Sequence, residues 1–414
     1  MRPPIHLAIA GMTILALALG IGRFLLTPLL PLMQADAGLD LISGGWLASI
    51  NNFGYLLGAL LCTALPMPQR AMLRIGMLLV ALGTLGMGFV PSLPLWLLCR
   101  FVAGMAAAML MVHGIAWCMA HLRAHGRVGL EALLYSGPGM GIVVSGVLVA
   151  ALHGSGLGSA HWWLLFGAAS VLATALVWRT LDAPRHAIAA PTSTPADEHG
   201  PAWPLVAIYG LFGFSYVIPA TFLPLIADAQ LHLPALREWF WPLYGVATVA
   251  VTMLLGALPA PRSNYSGLAG CCLSMLLGSL LCLYWPQLGG LLLGTILLGA
   301  AITPVVMFAM REATRLAPRD PTRLIGALTT AFGIGQIVGP LVAASLAQRH
   351  GFAVPLELAA LAAVIALLLA LTRMRQASRR TGMSAGKPLP LIATTEPVHS
   401  PDAPLRQSHR TGYR

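Results

Sequence analysis

The chain is a succession of long apolar stretches separated by short polar or proline-rich segments. About twelve of these stretches reach the roughly 20 mostly apolar residues that a helix needs to cross the hydrocarbon core of a bilayer. The pattern therefore predicts an all-α integral membrane protein with about 12 transmembrane helices. The stretches lie at residues 5–33, 44–64, 71–90, 94–119, 129–152, 161–180, 203–228, 238–258, 266–285, 287–310, 324–347 and 352–372.

Two segments interrupt this pattern. Residues 181–202, rich in Pro and Ala and carrying charges, separate the sixth stretch from the seventh and predict a cytoplasmic linker. Residues 375–414, rich in Ser, Pro and Arg, lack the apolar content of a core and predict a disordered basic cytoplasmic tail. The expected organisation is an N-terminal six-helix bundle at 1–180 and a C-terminal six-helix bundle at 203–374, joined by the linker.

Composition excludes a soluble globular protein. Of the 414 residues, 57% are apolar and 9% are charged, whereas soluble domains carry about 25% charged residues. The chain is nevertheless basic, with 24 Lys and Arg against 13 Asp and Glu and a net charge of +11. These residues are scattered singly, without the basic patch that nucleic-acid binding needs, so no nucleic-acid partner is expected.

The arginines instead predict the topology. Under the positive-inside rule, a cytoplasmic N-terminus places almost all of them in cytoplasmic loops and the tail, and leaves only Arg237 and Arg349 outside. Both termini are therefore expected in the cytoplasm. The arginines that follow the last stretch would contact anionic lipid headgroups, and simple anchoring is favoured over lipid regulation. The six cysteines lie in apolar runs without metal-ligand spacing, so neither a metal nor a cofactor is expected.

An internal repeat relates the two predicted halves. A shift of 193 positions aligns ALPMP (64–68) with ALPAP (257–261), Trp46 with Trp239, and LPL (30–32) with LPL (223–225). Two glycine-containing matches follow in the same order at slightly larger shifts. Two parallel six-helix repeats are the plan of secondary transporters whose substrate site lies between the halves near the middle of the membrane.

Three segments carry a pattern known from one superfamily: GIGRFLLTPLLPLMQ (20–34), GGWLASINNFGYLLGAL (44–60) and GFSYVIPATFLPLIA (213–227). They resemble the major facilitator superfamily, in particular its YbfB/YjiJ branch, and the resemblance extends up to about residue 374. It implies two pseudo-symmetric six-helix bundles in the major facilitator fold. The loop PMPQRAMLR (66–74) departs from the superfamily pattern, because it keeps basic residues but lacks the usual Gly and Asp.

Seven polar side chains within the spans are candidates for substrate binding. Arg23 leads, because a charge at bilayer depth costs at least about 2.5 kcal/mol and usually faces a cavity or a partner. By resemblance the first span lines the central cavity, while a structural arginine bonded to neighbouring carbonyls is the alternative. The other side chains either bind a ligand or bond across helices for packing. The set is Arg23, Thr27, Asn51, Tyr55, Tyr209, Tyr216 and Gln336.

Three residues of the fourth span are candidates for coupling. Arg100 and Gly104 resemble the superfamily's fourth-helix arginine motif, which implies a role in the conformational cycle or in proton coupling, with close helix packing as the alternative. His113 is the only histidine deep in a span and suits a proton relay. It lies about 140° from Arg100 around the helix, which favours a helix-contact histidine.

Two Gly-Pro pairs are candidates for pliable contacts between moving bundles. Gly137 and Pro138 resemble the superfamily's fifth-helix motif that is associated with exporters, and Gly339 and Pro340 occupy the eleventh span. Glycine permits close backbone approach, and proline leaves a carbonyl without its donor and bends the helix.

The predicted spans contain no deep carboxylate. Glu357 is the only acid well inside a span, and Pro355 places it in the first turn of the last helix, where a carboxylate suits the helix N-terminus. The other acids lie in loops or at helix ends, Glu238 and Glu312 among them. Because Arg23 and Arg100 have no deep acid to oppose them, the sequence predicts an electropositive cavity and an anionic substrate.

The sequence therefore predicts a monomeric secondary transporter of the bacterial inner membrane that moves a small organic solute by alternating access. By resemblance it is coupled to protons, and the Gly-Pro motif favours efflux. An uptake permease of the same fold and a non-transporting membrane sensor are the alternatives. No enzyme is expected, because the spans show no convergent nucleophiles or metal ligands.

Overall fold

A computed structural model describes residues 3–64, 68–89, 91–152, 154–182, 201–232, 234–258, 263–317 and 322–385. This part of the chain is helical and contains no strand. The N-terminal helices are α1 (Pro4–Ala37), α2 (Leu41–Ala64), α3 (Gln69–Phe89), α4 (Leu93–Ala124), α5 (Glu131–Tyr135 and Gly137–Ala151) and α6 (Ser159–Trp178). The C-terminal helices are α7 (Trp203–Leu231), α8 (Phe240–Ala257), α9 (Asn264–Tyr284), α10 (Leu288–Leu316), α11 (Thr322–His350) and α12 (Ala353–Ala385).

These helices occupy the twelve positions predicted from the apolar stretches. Within the described residues, 10 helices are long and apolar enough to cross a membrane by length and composition, and α2 and the two-part α5 complete the set. Large apolar side chains such as Leu82 and Leu176 are exposed on the outer faces. Exposed apolar faces of this kind are suited to a lipid environment.

The helices pack in two groups with defined contacts between them. In the N-terminal group, α4 packs on α2 and α3, and α3 on α6; in the C-terminal group, α7 packs on α11, and α10 on α8 and α9. Across the groups, α2 contacts α11, α5 contacts α8, and the second part of α1 contacts α7. The substrate site predicted between the halves would therefore lie among these inter-group helices.

The first helix is broken near its middle. Residues Ala16–Ile21 form a π-helical turn, in which Gly22 N–H donates to Leu17 O at 2.8 Å, and a turn precedes the segment Leu26–Ala37. Pro28 has no backbone N–H and sits in the first turn of that segment, where none is needed. The break is a finding that the uniform apolar pattern of 5–33 did not predict, and such π turns are common at functional sites.

Small residues bring α2 and α4 into close contact. A Cβ added at Gly104 would lie 2.0 Å from the carbonyl oxygen of Asn51, and one at Gly54 would lie 2.2 Å from that of Phe101. No side chain fits at these positions, so the backbones of the two helices touch. The close helix packing that was the alternative for Gly104 is present, and it places α2 and α4 together beside the break in α1.

Chain contacts divide the protein into two units, Met1–Arg375 and Gln376–Arg414. The first unit contains both predicted bundles, and the division at 181–202 stays a prediction. In the second unit the structure describes the end of α12, which continues beyond the predicted limit at 374 to Ala385. Residues 183–200 of the predicted linker and 386–414 of the predicted tail lie outside the described residues.

Both ends of the predicted linker accept hydrogen bonds from arginines of neighbouring helices. Arg74, from the loop that departs from the superfamily pattern, donates from Nη2 to both oxygens of Asp182 at 2.9 Å. At the other end Arg373 Nη2 donates to Pro201 O at 2.9 Å. Arg74, one of the two arginines of that segment, therefore has an acidic partner at the start of the predicted linker.

Candidate functional site: a buried arginine between the halves

The guanidinium of Arg23 lies where the N-terminal and C-terminal helices meet. The residue is 7% exposed, and its Nη2 donates to Asn52 Oδ1 at 2.8 Å, Tyr216 Oη at 3.3 Å and Gln336 Oε1 at 2.6 Å. Asn52 belongs to α2, Tyr216 to α7 and Gln336 to α11. One side chain of α1 therefore connects both halves of the molecule.

The partners of Arg23 also bond to one another. Gln336 Nε2 donates to Tyr216 Oη at 2.8 Å, and Asn52 Nδ2 donates to the backbone oxygen of Gln336 at 2.8 Å. All four side chains are buried. The network fixes Gln336 by its side chain and its backbone, so the acceptor that Arg23 contacts at the shortest distance is held in place.

The positive charge of Arg23 has only neutral hydrogen-bond partners. Among the described residues no carboxylate forms an ion pair with it, and its buried Nε has no hydrogen-bond partner. A buried charge is normally paired because desolvation of a lone ion is costly. Arg23 therefore carries a positive charge without a described counter-ion, and its Nε is an unused donor.

Aromatic rings surround the guanidinium. Its Cζ lies 4.2 Å from the ring centroid of Tyr55 and 5.4 Å from that of Phe24. Such cation–π contacts contribute about 0.5–2 kcal/mol each. On the α7 side, Phe332 stacks on Tyr209 at 4.3 Å and on Tyr216 at 5.4 Å. Tyr55 and Tyr216 thus contact the cation directly, while Tyr209 contributes to the aromatic wall beyond it.

Arg100 and Asn51 hold the broken segment of α1 that carries Arg23. Arg100 is 2% exposed and donates to Gly22 O at 3.2 Å and Arg23 O at 2.7 Å. Asn51 Nδ2 donates to Gly22 O at 3.0 Å and to Arg100 O at 2.7 Å. These carbonyls are the ones that the interrupted helix leaves available. Both residues therefore position the backbone of the segment that carries Arg23. For Asn51 this is the packing alternative, a bond across helices, and not a contact with a ligand.

Two hydrogen bonds join positions that the internal repeat makes equivalent. Arg23 bonds to Tyr216, and Thr27 Oγ1 donates to Ala220 O at 2.7 Å, and in both pairs the partners are 193 positions apart. This separation is the shift that aligns the two halves of the sequence. Equivalent positions touch one another where a two-fold axis passes between two copies, so the pairs mark the pseudo-symmetry axis beside Arg23.

The remaining coupling candidates lie away from this cluster. His113 is thirteen residues after Arg100 on α4, about 20 Å along a helix; its backbone oxygen accepts from Gln69 Nε2 at 3.1 Å, and its buried ring Nε2 has no partner among the described residues. A Cβ at Gly137 would lie 2.4 Å from Met12 O. Gly137 therefore serves a close contact within the N-terminal half.

In the eleventh span, Gly339 contacts its own half of the molecule and Pro340 contacts the other half. A Cβ at Gly339 would lie 2.4 Å from Val217 Cγ1, within the C-terminal half, whereas a Cβ at Gly45 of α2 would lie 2.9 Å from Pro340 O. Pro340 thus lies at a contact between the halves. Pro138 is the second residue of the second part of α5, which begins at Gly137 directly after the turn at Ser136 that divides this helix.

Sequence reasoning missed Asn52 and the burial of two acids. Asn52 directly follows the candidate Asn51 and lies one helical turn before Tyr55. Because residues three apart share a helix face, the position of Tyr55 could have indicated that Asn52 also faces Arg23. Glu238 and Glu312, expected at helix ends, are 2% and 1% exposed. Glu312 pairs with Arg315 at 2.6 Å and Glu238 with Arg237 at 3.5 Å.

An open cleft lies between α5, α8 and α10. It encloses about 650 Å³, part of it open to solvent. Apolar residues form most of its wall, and Glu131 of α5 and Arg311 of α10 supply opposite charges. The lining also includes Tyr135, Thr252, Leu255, Thr303, Pro304, Met307 and Phe308. These residues lie toward the ends of α8 and α10 that the arginine pattern assigns to the cytoplasm.

Comparison with known proteins gives three kinds of match. Residues 15–371 match the sequence model of a family described as "Uncharacterised MFS-type transporter YbfB". A chloramphenicol resistance protein of Streptomyces lividans is 29% identical over 384 residues, which cover 85% of this chain and 92% of that protein.

Solved structures of transporters share the fold. The nucleoside transporter NupG matches with a TM-score of 0.63 and 16% identity over 91% of this chain and 99% of its own. The human organic anion transporter MFSD10 (TETRAN) matches with a TM-score of 0.61 and 17% identity over 89% of this chain and 100% of its own. At these identities the likeness concerns the fold alone, which is the one predicted from the sequence.

Proposed function

Since the chain belongs to the YbfB-type family of major facilitator superfamily transporters, we propose that it exports a small organic anion across the bacterial inner membrane by alternating access, coupled to protons. Family and fold are those of multi-pass membrane transporters rather than enzymes. The charge of the solute, the direction of transport and the coupling ion go beyond what family and fold establish.

The buried charge of Arg23 carries the proposal of an anionic solute. Its described partners are all neutral. A carboxylate that reaches Arg23 therefore has no internal acid to displace and brings the first negative charge to the guanidinium. At a separation of about 4 Å and an effective dielectric constant of about 20, the attraction amounts to about 4 kcal/mol. A neutral solute gains no comparable term.

Hydrogen bonds between the halves support alternating access. Thr27 bonds to Ala220, and Ser49 Oγ donates to Ile337 O at 2.7 Å, while the cleft between α5, α8 and α10 is open. With the predicted topology, this is an inward-facing conformation. Reorientation has to break the bonds of Arg23 to Tyr216 and Gln336, and an anion that takes over Arg23 favours the state in which they are broken.

Export and proton coupling rest on separate observations. The S. lividans relative is named for chloramphenicol resistance, which favours export over uptake. Protons are the coupling ion that the superfamily resemblance implies. Because both terminal nitrogens of Arg100 donate to α1 carbonyls, we assign the proton to His113, whose buried ring nitrogen has no described partner.

Transport by everted membrane vesicles tests these points together. We expect vesicles with an acidic lumen to accumulate radiolabelled benzoate, and Arg23→Gln to abolish accumulation while the exposed Arg323→Gln does not. Accumulation of a neutral sugar by both wild type and Arg23→Gln, without benzoate flux, would show that the solute is not anionic. Uptake only in right-side-out vesicles would identify a permease, and binding without flux a sensor.

A further inference from the structure

Two buried donors on α8 have no hydrogen-bond partner in the described part of the chain. They are Trp241 Nε1 and Tyr244 Oη, and both side chains are 0% exposed. An unpaired polar group in the interior costs about 1–3 kcal/mol. Such groups are rare in native proteins and call for a specific explanation, such as a water or a bound molecule.

These two side chains continue the aromatic surroundings of Arg23. The rings of Trp241 and Tyr244 stack with centroids 5.2 Å apart, and Phe24 meets Trp241 edge to face at 6.1 Å. Phe24 is itself 5.4 Å from the Arg23 guanidinium. The rings of Phe24, Trp241 and Tyr244 therefore form a row that leads from the Arg23 guanidinium to the two donors without partners.

Packing alone does not explain the polar atoms of this pair. The other buried hydroxyls on the same face of α8 are satisfied, since Thr248 Oγ1 donates toward Tyr244 O and Gly299 O at 2.9 Å and Thr252 Oγ1 donates to Thr248 O at 2.7 Å. Phenylalanine would supply the same stacking without an unpaired hydroxyl. The donors thus have a cost that the fold itself does not offset.

We propose that Trp241 and Tyr244 form the far wall of the substrate site and that the substrate is an aromatic acid with a hydrogen-bond acceptor opposite its carboxylate. The carboxylate contacts Arg23, the ring lies along Phe24 and Trp241, and a nitro or carbonyl oxygen accepts from Trp241 Nε1 and Tyr244 Oη. This assignment rests on the proposed transport of anions, because it uses Arg23 as the anion site.

Calorimetric titration of the purified full-length protein in detergent tests the assignment with four acids. The probes are benzoate, 4-nitrobenzoate, 4-methylbenzoate and cyclohexanecarboxylate. We expect 4-nitrobenzoate to bind about 5- to 30-fold more tightly than 4-methylbenzoate, as one to two hydrogen bonds predict, and benzoate to bind more tightly than cyclohexanecarboxylate.

The variant Tyr244→Phe removes one hydroxyl and keeps the ring. It should reduce the preference for 4-nitrobenzoate over 4-methylbenzoate, and it should unfold at the same or a higher temperature than wild type without ligand, because an unpaired group is removed. Tyr284→Phe, at a position 74% exposed, is the matched control and should retain the preference.

Two groups of outcomes separate this inference from the function on which it rests. Equal binding of the 4-nitro and 4-methyl acids by wild type, or an undiminished preference in Tyr244→Phe, overturns the assignment of Trp241 and Tyr244 to the substrate site and leaves the anion site intact. Benzoate binding that is absent in wild type, or unchanged by Arg23→Gln, overturns the anion site as well.

Discussion

Replacing Gln336 by glutamate places an internal anion against the Arg23 guanidinium. The two side chains have the same length and branching, and the Gln336 oxygen already lies 2.6 Å from Arg23 Nη2. Tyr216 Oη, which now accepts from Gln336 Nε2, can rotate its proton to donate to the new carboxylate. The substitution therefore changes charge with little change of shape.

The magnitude follows from the separation of the charges. A carboxylate centred about 4 Å from the guanidinium attracts it by about 4 kcal/mol at an effective dielectric constant of about 20. Desolvation of the new carboxylate offsets part of this energy, which leaves about 2–4 kcal/mol that an external anion must overcome. Anion affinity should fall roughly 30- to 700-fold.

Benzoate affinity by calorimetry and flux in everted vesicles are the measurements. Gln336→Met is the matched control, because its side chain has a similar length, carries no acceptor oxygen and no charge, and leaves Arg23 bonded to Asn52 and Tyr216. It should bind benzoate at least as well as wild type. If Gln336→Glu binds and transports benzoate like wild type while remaining folded, Arg23 is not the anion site.

Three further predictions concern the support of the site and the contact between the halves. Arg100→Met removes the donor to Arg23 O and leaves Gly22 O with Asn51 alone, so it should lower the free energy of unfolding by about 2–4 kcal/mol, measured as a reduced thermal midpoint in detergent, and should reduce benzoate binding with it. Gly104→Ala forces apart two backbones in contact and should lower the thermal midpoint clearly, whereas Gly270→Ala, which has open space around its Cβ, should leave it unchanged. Thr27→Val removes a hydrogen bond between the halves worth about 1 kcal/mol and should lengthen the mean distance between spin labels on the outer ends of α1 and α7; an unchanged distance distribution would show that this bond does not hold the outer contact.

Apolar length predicts most of the fold because the bilayer imposes one dominant requirement on each span. The twelve stretches could therefore be recognised without knowing how the helices pack. The break in α1 could not, because it depends on Arg100 and Asn51 reaching from α4 and α2 to carbonyls that a regular helix would occupy. Such tertiary compensation has no signature in the composition of residues 5–33.

The candidate site was predictable as far as charge is concerned. A deep arginine is costly in lipid, so Arg23 was recognisable from its position, and Tyr55, Tyr216 and Gln336 were recognisable as polar residues in the same spans. Which of Asn51 and Asn52 contacts the Arg23 side chain was not predictable. Adjacent residues of a helix point in directions that differ by about 100°, and only the packing of α2 decides which one meets Arg23. The unpaired donors of Trp241 and Tyr244 were equally hidden, because aromatic residues in an apolar run are typical of a core.

The hydrogen bond between Arg23 and Tyr216 also bears on how the chain arose. If a single six-helix unit once paired with a second copy of itself, this position would have contacted its own counterpart across the two-fold axis. Two arginines there would have repelled each other, and two tyrosines would have offered no charge. Only after the two copies were encoded separately could one member of the pair become a cation while the other stayed neutral. Duplication was thus a precondition for placing one unshared charge beside the axis of a pseudo-symmetric molecule.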